Sequence, residues 1–113
     1  MKPRASKAVR RALLLTLLAT MPSGIAHPQD GLERGRLLVT SLCGECHAVG
    51  RIGASPHAGA PAFRSLDDRI DLDEFTDRLR AGLQSTHADM PSFRFSREDA
   101  RAAVAYLRSI QGP

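Results

Sequence analysis

The 113-residue chain has a formal net charge of +4, but both lysines and three of the fourteen arginines lie in its first 26 residues. Beyond them eleven arginines face twelve acidic residues, a net charge of about −1. With no lysine there, four phenylalanines, one tyrosine and no tryptophan, this part has neither the basic patch nor the stacking platform of a nucleic-acid binder, so no nucleic-acid partner is expected.

Residues 1–26 start with a basic run of Lys2, Arg4, Lys7, Arg10 and Arg11, continue as the apolar "ALLLTLLATM", and end on "SGIA". Small residues at Gly24 and Ala26 suit a signal peptidase, which predicts a secretory signal cut after Ala26 and an exported, periplasmic protein. The alternative is an uncleaved anchor. A span needs about 20 apolar residues, and this run breaks at Pro22. With the signal gone, no membrane span is expected. Residues 27–113 then form one domain, too small to supply more than a few kcal/mol from its own core without a disulfide, a metal or another buried body.

Three segments of that domain carry helical periodicity. In the first, Gly35, Leu38, Val39 and Leu42 share a face behind Asp30 and Glu33, a capping-box-like pair. In the second, Leu72, Phe75 and Leu79 align, with Asp71 and Glu74 at the start and Gly82 as the stop. The third puts Ala100, Ala103, Val104 and Leu107 on one side, with Ser96 and Asp99 at its start. Between the first two runs "AVGRIGASPHAGAPAFRSLDD", and between the last two "QSTHADMPSFRF", both read as long irregular loops. No alternating strand pattern and no repeat occurs. The prediction is an all-α domain whose helices are too few and too thin to make a core unaided, with loops wrapped around something.

The loop after the first helix opens on "SLCGECHAVG", which holds both cysteines, Cys43 and Cys46, with His47 directly behind. The order C-x-x-C-H has the logic of covalent haem attachment: two thiols three residues apart add to the two vinyl groups of a porphyrin, and the next residue offers an imidazole to the iron. Three other readings compete. A thioredoxin-like dithiol sits at the start of a helix after a strand, whereas this one closes a helix in a chain without strands. A zinc site needs a second ligand pair, and His27, His57 and His87 do not have that spacing. A disulfide across so short a loop would stabilise little.

The series "GRLLVTSLCGECHAVG", "APAF", "DMPSF" and "AVAYLRSI" resembles the class I monohaem cytochromes c of bacteria over nearly all of residues 30–110. The resemblance implies a small cytochrome c fold of three main helices and long loops around one haem c. It implies thioether tethers at Cys43 and Cys46, His47 as one axial iron ligand, and Met90 as the other, with His87 as the rival donor in the same loop. Met/His ligation suits a carrier, since a weak-donor sulfur favours Fe(II) and raises the potential. Pro61 matches the family proline whose carbonyl accepts from the axial imidazole, and Phe63 the residue that packs the haem face. Gly35 and Tyr106 stand where the family crosses its first and last helices.

Two departures follow from the same resemblance. Val39 occupies a position where family members often have an aromatic. The tryptophan that holds a haem propionate in mitochondrial relatives is missing, which leaves Arg51, Arg64 and Arg69 as candidates by position. The implied function is a monomeric, non-enzymatic electron carrier with transient redox-protein partners, which cannot dock through a lysine ring because the domain has none. The alternatives are a haem-based ligand sensor or a peroxidase-like protein with an open or His-ligated sixth position, and a thiol or metal-binding module with free cysteines.

Overall fold

The computed structural model describes residues 23–25, 27–85 and 87–112; apart from 23–25, the proposed signal segment and its cleavage point at Ala26 lie outside the described residues. Three α-helices, α1 (Pro28–Cys43), α2 (Leu72–Ala81) and α3 (Arg97–Ile110), are joined by loops, with one 3-10 turn at Phe63–Ser65. Among the described residues β-structure is limited to one isolated antiparallel bridge, Leu83 with Phe93. This is the all-α small cytochrome c fold that the sequence implied.

Local signals account for each helix. Pro28 opens α1 at a position where its missing N–H costs nothing, and the Asp30 carboxylate accepts from the His27 backbone N–H at 3.1 Å. The start therefore lies earlier than the Asp30–Glu33 pair suggested. Glu33 is one turn into the helix and pairs with Arg36 instead, at 2.6 Å. Asp71 caps α2 by accepting from Asp73 N–H at 2.7 Å, and Gly82 ends the helix at φ +107°, a conformation that favours glycine. Ser96 caps α3, its Oγ accepting from Asp99 N–H at 3.0 Å.

Helix α1 crosses α3 at Gly35. A methyl group added there would lie 1.9 Å from the carbonyl oxygen of Ala102 and 2.9 Å from Cβ of Tyr106, so only glycine permits this approach. Tyr106 then reaches past the crossing and donates its hydroxyl to the Val49 carbonyl at 2.7 Å, fastening the loop after α1 to α3. Leu72, Phe75 and Leu79 of α2 join Val39, Phe63, Leu66 and the buried face of α3 in a single core. Arg34 of α1 bridges to Asp99 and Glu98 at the start of α3, at 2.6 and 3.1 Å.

Candidate functional site

The turn that ends α1 sets the site. Gly44 N–H donates to the Thr40 carbonyl, and the Cys46 and His47 N–H groups both donate to that of Cys43, at 3.2 and 2.9 Å, so the chain coils once more beyond the helix. That extra turn brings Cys43, Cys46 and His47 together at one cavity. The following loop is tied back: His57 N–H donates to the Cys46 carbonyl at 3.1 Å, Ala48 N–H to Ser55 Oγ at 3.0 Å, and Phe63 N–H to the Ala48 carbonyl at 2.9 Å.

His47 is held from two directions. Its Nδ1 lies 2.8 Å from the Pro61 carbonyl oxygen, and its ring stacks on Phe63 at a centroid distance of 4.5 Å. A carbonyl has no proton to give, so Nδ1 carries the hydrogen and donates it. The lone pair is thereby confined to Nε2. Phe63 is itself buried in the core, so the imidazole leans on a fixed surface. A neutral imidazole with a defined free nitrogen is what an axial ligand requires.

The second loop is closed at its neck. Leu83 N–H donates to the Phe93 carbonyl at 2.7 Å, Phe95 N–H to that of Leu79 at 2.9 Å, and Ser92 Oγ to that of Leu83 at 3.0 Å. Met90 N–H donates to the His87 carbonyl at 3.2 Å within the loop. Met90 and His87 both line the cavity that His47 lines.

That cavity has two chambers that share much of their lining, of about 420 and 160 Å³, the larger in the size range of small-molecule sites. The larger runs under α2 and is walled by Val39, Phe63, Leu66, Phe75, Leu79 and Leu107, side chains that also make up the core. The smaller is lined by Leu42, Cys43 and Cys46 among others. Leu42, expected on the packed face of α1, is 38 % exposed and lines the smaller chamber. Apolar walls, two thiols at one rim, and an imidazole and a thioether on the lining fit an iron porphyrin. They fit the competing readings poorly. Burial pushes the Cys43 thiol up to about 11, whereas a redox dithiol needs a lowered pKa in its attacking cysteine. Among the described residues no cluster of His, Cys, Asp and Glu side chains could hold a bare metal ion.

Of the arginines considered for haem carboxylates, Arg51 donates to the Ser109 carbonyl and Arg64 to that of Gly53, and neither lines the cavity. Arg69 does line it. Sequence reasoning passed over Arg78, which also lines it, although its place between Phe75 and Leu79 on a helical face was a usable signal. It also missed Gln111, whose amide donates to the carbonyls of Phe63 and Leu107 at 2.7 and 2.6 Å and ties the 3-10 turn to α3.

Comparison with known proteins agrees with this geometry. A family model described as cytochrome c oxidase, cbb3-type, subunit III, matches residues 30–107. Cytochrome c-552 of Bradyrhizobium diazoefficiens is 32 % identical over 101 residues, covering 89 % of this chain and 94 % of that protein. Cytochrome c55X of Paracoccus denitrificans is 32 % identical over 102 residues, covering 87 % and 92 %. No solved structure gives a significant match. The matched region runs from the start of α1 through the C-x-x-C-H turn and both loops into α3, and on that ground the chain belongs to the monohaem c-type cytochromes, electron carriers whose cofactor is a covalently bound, iron-containing haem c.

Proposed function

We propose that this chain is an exported, periplasmic one-electron carrier in which Cys43 and Cys46 hold haem c through thioethers, and His47 and Met90 bind its iron. Bound there, the group supplies a reversible Fe(II)/Fe(III) couple. The observation that carries the reading is the 2.8 Å contact from His47 Nδ1 to the Pro61 carbonyl, which leaves Nε2 free on a cavity that Met90 also lines. Pro61 fixes the tautomer, and Phe63 fixes the ring plane from beneath. With His47 and Met90 both holding the iron, no substrate would reach it, and the chain would do no chemistry of its own. The N-terminal "ALLLTLLATM" and "SGIA" support export. Among the described residues no helix is long and apolar enough to cross a membrane. A monomer docking weakly through arginines and exposed apolar side chains such as Leu42 suits a shuttle that must release each partner.

Two experiments test this. Acidified acetone should leave the haem on the polypeptide, and extraction of all colour would remove the tethers. Met90→Ala should keep the haem, lose the methionine-to-iron absorption, lower the midpoint potential and admit carbon monoxide or cyanide. A second reading has its own observation, that His87 lines the same cavity. If His87→Ala loses low-spin character while Met90→Ala keeps its spectrum, the iron is bis-histidine ligated. If neither variant changes the spectrum, the sixth position is open and the sensor or peroxidase-like reading stands.

A further inference from the structure

The arginines of residues 27–113 divide by what they touch. Seven of the eleven are held by carboxylates or backbone carbonyls, while the side chains of Arg69, Arg78, Arg97 and Arg101 have no partner among the described residues. Arg97 and Arg101 stand on α3 away from the cavity. Arg69 and Arg78 both line its larger chamber. Arg69 has Asp67, Asp68 and Asp71 as close neighbours in sequence, yet none lies within ion-pair distance.

The two chambers differ in charge in a way that matches haem c. The smaller contains Cys46 together with Glu45 and Asp89, and neither arginine. The larger contains both arginines and no acidic side chain. Haem c has the same polarity: its vinyl-derived thioethers lie toward one edge and its two carboxylates toward the other. Cys43 lines both chambers and Cys46 the smaller alone, so with Cys46 fixing the first edge there, the carboxylates would fall toward the side where the chain offers cations alone. A carboxylate set in an apolar cavity without a partner is costly, and guanidinium is the side chain best shaped to receive it.

We propose that Arg69 and Arg78 hold the haem carboxylates, the task for which mitochondrial relatives use the tryptophan this chain lacks, and that by neutralising them they raise the potential of the iron. Fe(III) carries one more positive charge than Fe(II). Unneutralised carboxylates favour the oxidised form, so removing either arginine lowers the midpoint potential.

The test compares Arg69→Gln and Arg78→Gln with Arg97→Gln and Arg101→Gln in the holoprotein, by redox titration at one pH and ionic strength. All four variants lose one charge at an exposed residue. The first two should lower the midpoint potential, their combination should lower it further, and the α3 pair should leave it at the wild-type value. Arg78→Lys should restore most of the loss, which a purely steric role would not allow. The visible spectrum should stay low-spin throughout. Equal potentials in all four variants, or a fall in the α3 pair as large as in Arg69→Gln and Arg78→Gln, would overturn the assignment. The inference rests on the haem occupying this cavity. Loss of colour on acid-acetone extraction defeats that reading before any potential is measured, whereas equal potentials in a protein that keeps its haem defeat the arginine pair alone.

Discussion

The two sides of α3 are held together by different means. On the α1 side, backbone meets backbone: Gly35 sits on Ala102, Tyr106 spans the crossing, and Arg34 clasps Asp99. On the α2 side, buried Phe63, Leu66, Phe75 and Leu79 face a cavity of about 420 Å³ as much as they face each other. The crossing is protein packed on protein. On the proposed reading the loop side is protein packed on a cofactor, and the two should then fail under different perturbations.

The largest effect should come from withholding the haem. At about 24 cal/mol per Å³, an empty cavity of this volume costs up to roughly 10 kcal/mol, an upper limit because the cavity is not sealed from solvent. Even half of that is comparable with the ~5–15 kcal/mol of net stability of an ordinary domain. The haem-free Cys43→Ala, Cys46→Ala variant should therefore show no cooperative thermal transition by circular dichroism. A melt like that of the holoprotein would show that the α1–α3 crossing and the core fold alone, and that the comparison drawn above is false.

Phe63 belongs to both regions, since it is buried in the core and stacked under His47. Phe63→Ala should cost about 3–5 kcal/mol in chemical denaturation of the holoprotein, the usual range for emptying an aromatic site. It should also release the imidazole plane, so the low-spin spectrum should weaken on heating before the helices melt. Loss of both signals in one transition would mean that the ring packs the core without orienting the ligand.

Gly35→Ala tests the other side. The added methyl would meet the Ala102 carbonyl at 1.9 Å, so the helices must separate. Overpacking of this kind costs about 2–3 kcal/mol, on the order of 10–20 °C in Tm for a domain this size. The visible spectrum at low temperature should be unchanged, because neither His47 nor Met90 touches the crossing. A spectral change would mean that the two regions are coupled more tightly than their contacts suggest.

What the sequence made legible follows the same division. Helix faces were readable because Val39, Leu72, Phe75, Leu79 and the apolar stripe of α3 bury themselves at helical spacing. The crossing was placed at Gly35 and Tyr106 through family resemblance. The start of α1 was misjudged because Asp30 looks like a cap from its own position, whereas it acts backward on His27. The loop side was legible as residue identities and, apart from the contact of His47 with the Pro61 carbonyl, not as wiring. Contacts such as Gln111 to Phe63, Tyr106 to Val49 and the bridge of Leu83 with Phe93 join residues far apart in sequence, or obey no periodicity, and so leave no local pattern. Leu42 departs from the pattern: its helical phase belongs to the packed stripe, but it lines the smaller chamber and is 38 % exposed.

The smallest expected effect sharpens the comparison at the edge of the crossing. Asp99 accepts from Arg34 Nε at 2.7 Å and from Ser96 Oγ at 2.9 Å, and these bonds hold its carboxyl below the ordinary value of 3.8. A depressed carboxylate contributes stability that is fully present above its unfolded pKa and is lost as pH falls through the folded one. The contribution of Asp99 should thus be constant near neutrality and disappear only below about pH 4. Both partners are partly exposed, so solvent screens the pair and the effect is small beside that of Gly35→Ala. Asp99→Asn should lower the Tm slightly at pH 7, less so at high salt, and the gap from wild type should close as both are titrated toward pH 3. Arg34→Gln should show the same closing gap, since it removes the other half of the clasp. A gap that persists at pH 3 would mean that Asp99 acts through its hydrogen bond with Ser96 at the helix cap, and that charge adds nothing to the union of α1 with α3.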